Sequence, residues 1–143
     1  MRRTRVRCMT TAEIPETHKD LLNAQVAVLG TVGANGRPQL SAVWFLADGD
    51  TVKLSLSNTR QKTKNLIANP QASLLILDPA NPYRYVELRG EAEVTEDDNY
   101  AFADKVGAKY GADLRERDQP GDVRMVVTIK PARVVAWGGA AAH

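Results

Sequence analysis

From Gln25 to Ser57 apolar side chains recur at every second position and are interrupted by tight-turn signals, a pattern that belongs to strands rather than helices. Gln25–Val32 (QVAVLGTV) is a β-branched, mostly apolar run. It is bounded by Gly33-Ala34-Asn35-Gly36, whose Asn-Gly pair is a hairpin signal. The return strand, Pro38–Ala47, places Gln39, Ser41, Val43 and Phe45 on one face and Leu40, Ala42, Trp44 and Leu46 on the other. Asp48-Gly49-Asp50 makes a second turn. Thr51–Ser57 then alternates Val52, Leu54 and Leu56 against Lys53, Ser55 and Ser57. Turns this short join antiparallel neighbours, because parallel ones need a long crossover.

The remaining chain extends the pattern. Thr11–Ala24 reads as a short amphipathic helix, capped by Thr10 or Thr11, with Leu21 and Leu22 as its apolar contact. After the third strand, Asn58 or Thr59 caps a short helix that Asn69-Pro70 ends. Ala72–Leu77 is a buried strand, 78–82 a loop, and Tyr83–Val94 a long strand with Gly90 as a bulge or bend. Asp97–Tyr110 is a helix and 111–122 a polar loop with few packing residues. Val123–Ile129 and Arg133–Trp137 close the fold as two strands around Lys130-Pro131. Strands outnumber helices and hairpins replace regular crossovers. The expected architecture is mainly β, an antiparallel barrel with flanking helices. It occupies 11–138, between a basic tail at 1–10 expected to be disordered and a C-terminal tail at 139–143.

Charge narrows the function. The chain of 143 residues suits one domain, and its formal net charge is +2. Four of its 19 basic residues, Arg2, Arg3, Arg5 and Arg7, lie in the first seven positions; the remaining 15 face 17 acidic residues, so the body is slightly negative. The basic character therefore belongs to the tail, and nucleic-acid binding is a weak reading. Met9 is an alternative start. No apolar run follows MRRTRVRC and no stretch approaches about 20 apolar residues, so a secretory signal and a membrane span are not expected, and a cytoplasmic location is. Cys8 is the single cysteine, which excludes a disulfide framework and a cysteine metal site. The two histidines, His18 and His143, give neither a Ser-His-Asp system nor a His-rich metal site. Acids at Glu91, Glu93, Glu96, Asp97 and Asp98 sit at a strand-to-helix junction, where capping accounts for them.

One segment is electrostatically odd. Arg60, Lys62 and Lys64 fall in the first turns of the predicted helix after Thr51–Ser57, where the helix already presents partial positive charge. No Asp or Glu relieves them. A bound anion reverses the sign of the problem: the first helical amides and the hydroxyls of Ser57, Thr59 and Thr63 would cradle it. Arg60 would take two phosphate oxygens while the lysines act as point charges. The alternative is a solvated basic face. Gln39 and Ser41, at i and i+2, could bond the edge of a planar heterocycle lying along the strand; Trp44, on the opposite face, covers a ring or packs in the core. Tyr83, Arg84 and Tyr85 suit a pocket rim as well as an exposed strand start. With no evident acid, base or metal set, chemistry would come from a cofactor.

The runs TVGANGRPQLSAVWF (31–45), SNTRQKTKNL (57–66) and NPQASL (69–74) resemble the pyridoxamine 5′-phosphate oxidase-like split-barrel superfamily. Within it they are most similar to the flavin/deazaflavin-dependent oxidoreductases of actinobacteria that use coenzyme F-420. The resemblance covers roughly 12–137. It implies an FMN-binding-type split antiparallel β-barrel and a homodimer with cofactor sites at the interface. It places the cofactor phosphate on Arg60, Lys62, Thr63 and Lys64, beside Asn65. The ring system lies along Pro38, Gln39, Leu40, Ser41, Ala42 and Val43 and against Ser55 and Ser57, with Tyr83, Arg84 and Tyr85 supplied by the partner. The implied activity is hydride transfer from reduced F-420 to a conjugated acceptor. FMN-dependent oxidation or reduction and a non-catalytic cofactor-binding protein are the alternatives. The sequence VVAWGGAAAH lacks the basic and histidine groups of pyridoxamine phosphate oxidases proper, which counts against vitamin B6 oxidation.

Overall fold

A computed structural model describes residues 9–139 of the chain. Of the tail expected to be disordered at 1–10, residues 1–8, with Cys8, lie outside the described residues, as do 140–143, while Met9 and Thr10 belong to a strand.

Among the described residues eight strands form one antiparallel sheet: β1 (Met9–Thr11), β2 (Ala27–Val32), β3 (Pro38–Val43), β4 (Leu46–Asp48), β5 (Thr51–Ser57), β6 (Gln71–Asp78), β7 (Asn81–Glu96) and β8 (Arg124–Trp137). Their order across the sheet is β3-β2-β6-β7-β8-β5-β4, with β1 added along β8. This is a split antiparallel barrel. Two helices, α1 (Gln61–Ala68) and α2 (Ala101–Tyr110), pack on it.

The period-two pattern carries directly into burial. Val52 and Leu54 are fully buried and Leu56 nearly so, together with Leu74, Ile76, Val86, Leu88, Val127 and Ile129. A second, smaller cluster joins Ala103, Val106 and Leu114 to Trp44, Tyr100, Phe102 and Tyr110. Gly36, at φ +80°, closes the β2–β3 hairpin in a conformation that costs glycine little.

Four expectations are corrected. Thr11–Ala24 is not one helix: β1 pairs with β8 through Thr11, and a 3-10 helix spans Glu16–Asn23. Its N-cap is Pro15, with no side-chain cap; neither Thr10 nor Thr11 caps it. Asn58 and Thr59 do not cap α1 either, because its N-cap position is held by Arg60. The two closing strands are one, β8, running through Lys130 and Pro131. The register shift that accommodates the proline lies between Arg89 and Gly90 on β7. A Cβ at Gly90 would lie 2.0 Å from the Lys130 carbonyl oxygen, so only glycine fits there.

The fourth correction matters for the site. Pro38–Ala47 is interrupted at Trp44 and Phe45, giving β3 and β4. The freed backbone of Phe45 is satisfied from α2. Its amide donates to the Tyr110 hydroxyl at 3.0 Å, and its carbonyl accepts from Lys109 Nζ at 2.9 Å. Lys109 also donates to the Ala24 carbonyl, and the Tyr110 hydroxyl to that of Gln25. Burial lowers the Lys109 pKa from its ordinary value. The end of α2 thus staples the break, burying Phe45 and leaving Trp44 stacked on Tyr110 with ring centroids 4.2 Å apart.

Candidate functional site

A cavity of about 460 Å³ opens between β3, β5, the start of α1 and the segment after α2. That is within the range of small-molecule sites. Its walls include Ala42, Val43 and Trp44 from β3 and its end, Ser55 and Ser57 from β5, Arg60 and Lys62, and Arg117, Asp118 and Arg124 opposite.

Local structure explains the cationic end. Arg60 has φ −74° and ψ 143°, the extended conformation of an N-cap, but its side chain cannot accept from the helix. The amides of Gln61 and Lys62, at the first two helical positions, have no intrahelical acceptor. Lys62 Nζ donates to Ser41 Oγ at 3.2 Å. Burial, followed by the charge of Arg60, lowers the Lys62 pKa. Arg60 makes no ion pair among the described residues. Ser57 Oγ lies 2.8 Å from Thr59 Oγ1 and accepts the Thr59 amide, which holds both hydroxyls at the cavity edge. These groups fit a phosphate: the two cations and the hydroxyls of Ser57 and Thr59 share the cavity wall at the start of α1, and the acids that line the cavity, Asp118 and Asp122, come from the segment after α2.

Other predicted residues support the site without lining it. Thr63 is fully buried and its hydroxyl donates to the Ser57 carbonyl at 2.8 Å, tying α1 to β5. Asn65 donates from Nδ2 to Gln39 Oε1 at 2.9 Å and to Thr31 Oγ1 at 3.0 Å, and accepts from Gln61 Nε2. The side-chain oxygen of Gln39 is therefore engaged by α1, and Gln39 does not line the cavity. Lys64 points to solvent, Leu40 is exposed, and neither they nor Pro38 line the cavity.

Arg84 requires a plain correction. It is 1% exposed and saturated: Asp20 accepts from both terminal nitrogens, Asp78 from Nη1, the Thr17 carbonyl from Nη2 and the Gly139 carbonyl from Nε. A guanidinium so occupied has no donor for a ligand and cannot sit on a pocket rim. It welds β7 to the N-terminal 3-10 helix. Tyr83 is exposed and Tyr85 half-buried, and neither lines the cavity of its own chain.

Sequence reasoning missed the opposite wall. The segment 111–122 is not a bare polar loop: Leu114 is buried, and a 3-10 turn covers Leu114–Arg117. Arg124 makes a two-pronged ion pair with Asp118, both buried, and reaches back to the Ser55 carbonyl. Burial pushes the Asp118 pKa up, but the bonds from Arg124 and the Tyr100 hydroxyl outweigh it and the net shift is down. An acid six residues before an Arg on a strand edge was the only signal available. Among the described residues no cluster of three or more His, Cys, Asp or Glu could hold a metal. Nor is any helix among them long and apolar enough to cross a membrane.

A split barrel with a cation-cornered cavity beside β3 and β5 defines the class. The chain belongs to the pyridoxamine 5′-phosphate oxidase family, whose model matches residues 14–138. It is 30% identical over 142 residues to a pyridoxine/pyridoxamine 5′-phosphate oxidase of Bordetella avium, covering 90% of this chain and 64% of that relative's length. Among solved structures it is similar to an F-420 reductase, with 34% identity, a TM-score of 0.74, and coverage of 85% of this chain and 98% of that one. It is also similar to a conserved hypothetical protein of Mycobacterium tuberculosis, at 27% identity and a TM-score of 0.68, covering 82% and 80% of the two chains.

Proposed function

We propose that the protein is an oxidoreductase that holds the deazaflavin coenzyme F-420 and serves hydride transfer to a conjugated organic acceptor. One observation carries this reading. Arg60 and Lys62 line the cavity at the start of α1, a helix with no side-chain cap and no acid in its first turn, where a bound phosphate would meet both cations and the positive helix end. The similarity to an F-420 reductase over 98% of that chain supports the deazaflavin. Family membership supports FMN as the alternative cofactor, since FMN also carries a phosphate on a tricyclic ring system.

When bound, the cofactor supplies the hydride chemistry that the cavity's side chains do not. The chain's own residues bind and orient. Arg60 grips two phosphate oxygens, and Lys62, braced by Ser41, adds a second charge. Thr63 and Asn65 fix α1 against β5 and β3, which sets the position of both cations. Val43 and Leu56 give the cavity apolar wall, and the buried Asp118–Arg124 pair forms its far side. A homodimer is part of the proposal: Leu40, Ile67 and Tyr83 leave large apolar surface outside, at 71%, 60% and 81% exposure.

Mass spectrometry of the ligand released from native protein distinguishes F-420 from FMN. Oxidation of reduced F-420 in the presence of a panel of enone acceptors tests the activity. Tight cofactor binding with every acceptor untouched would instead identify a cofactor-binding protein without turnover.

A further inference from the structure

The wall opposite the phosphate corner holds an arrangement that cofactor binding does not use. Trp44 has one face stacked on Tyr110, at 4.2 Å and 4° between planes. Its other face is covered by the Arg117 guanidinium, 4.6 Å from the ring. The neighbours of Arg117 are committed: Arg115 to Asp104, and Asp118 to Arg124. Arg117 makes no ion pair among the described residues and is exposed at the cavity mouth. A guanidinium resting on an indole at an exposed site is weakly held. It can yield that face to another planar group and remain within reach of its edge.

We infer that Trp44 and Arg117 form the acceptor subsite: a planar conjugated carboxylate stacks on the face of Trp44 that Arg117 now covers, and the displaced Arg117 pairs with its carboxylate. The inference rests on the proposed oxidoreductase reading and names its substrate class. The cavity carries uncommitted cations at two places, on α1 and on the turn Leu114–Arg117, and so suits two anionic groups. The α1 pair takes the phosphate. Arg117, on a different element and beside an aromatic platform, takes a carboxylate in the two-pronged geometry a guanidinium favours. Tyr110, locked to Phe45 and Gln25, keeps the platform rigid.

Cinnamate and cinnamamide are titrated calorimetrically into the protein with and without cofactor, as wild type, Arg117→Gln, Arg117→Lys and Trp44→Leu. Cinnamate is expected to bind at least tenfold more tightly than cinnamamide. Arg117→Gln removes that preference, Arg117→Lys retains part of it, and Trp44→Leu weakens both ligands. A Trp137→Phe background leaves Trp44 as the single tryptophan, and its fluorescence reports stacking directly. Equal binding of the two probes, or a preference that survives Arg117→Gln, overturns the inference. So does competition between cinnamate and the cofactor, which assigns the Trp44 face to the cofactor ring instead. Cofactor affinity is read separately from the flavin or deazaflavin chromophore, so its failure to bind sinks the functional reading while the cinnamate titration still reports on Trp44 and Arg117.

Discussion

Replacing Arg60 by serine should make the cofactor-free protein more stable and the cofactor site worse. Arg60 already has the backbone conformation of an N-cap, but α1 has no capping side chain and no acid in its first turn. Serine accepts from a helical amide, and a good N-cap contributes about 1 kcal/mol. Removing a cation from the positive end of the helix adds roughly 0.3–1 kcal/mol at low salt. For a domain of this size a gain of about 1 kcal/mol raises Tm by roughly 3 °C. The same change deletes a two-pronged charged contact to phosphate, which at about 2 kcal/mol is roughly 30-fold in Kd. Differential scanning calorimetry without cofactor and an equilibrium titration with it read the two effects. A lower Tm would show that Arg60 has a structural partner; an unchanged Kd would place the phosphate elsewhere.

Arg84→Met breaks a buried ion-pair network and should destabilise by about 3 kcal/mol or more, measured by denaturant unfolding. Cofactor affinity of the folded fraction should stay unchanged. Gly90→Ala drives a methyl into the Lys130 carbonyl and should cost at least about 2 kcal/mol, unlike Gly139→Ala, where nothing lies nearby. Acid should loosen the fold with a defined sign. Asp20 is held down by the bond from Arg84, Asp78 by the Ala80 amide and then Arg84, and Asp118 by Arg124 and Tyr100 against burial. Folded values below the ordinary 3.8 mean that their stabilisation is complete well above that pH and drains away as pH falls through the depressed values. A Tm that rises between pH 5 and pH 3 contradicts this.

Sequence alone predicted the barrel because its signal is local. Val52, Leu54 and Leu56 alternate with polar neighbours, and the Asn35-Gly36 turn fixes the next strand's direction. Half of the candidate cavity was equally legible: Arg60 and Lys62, which line it, stood out because their charge opposes a helix end. The other half depended on distant partners. Arg84 looked like a rim residue because nothing nearby in sequence announces that Asp20, 64 residues away, will take its guanidinium. The break at Trp44 was hidden because Lys109 and Tyr110, which satisfy the freed backbone, come from a helix more than 60 residues later. Lys130-Pro131 suggested a strand end, yet Gly90 on the facing strand makes room for the chain to pass.

FMN and riboflavin share a ring and differ by one phosphate; F-420 and its phosphate-free chromophore share a ring and differ by the whole phosphodiester-linked tail. Equilibrium titration of both pairs into the native protein isolates what the corner at Arg60 and Lys62 contributes. The phosphorylated member of at least one pair should bind 100-fold or more tightly, with the difference shrinking as salt rises. Equal affinity within each pair would show that this corner holds no phosphate.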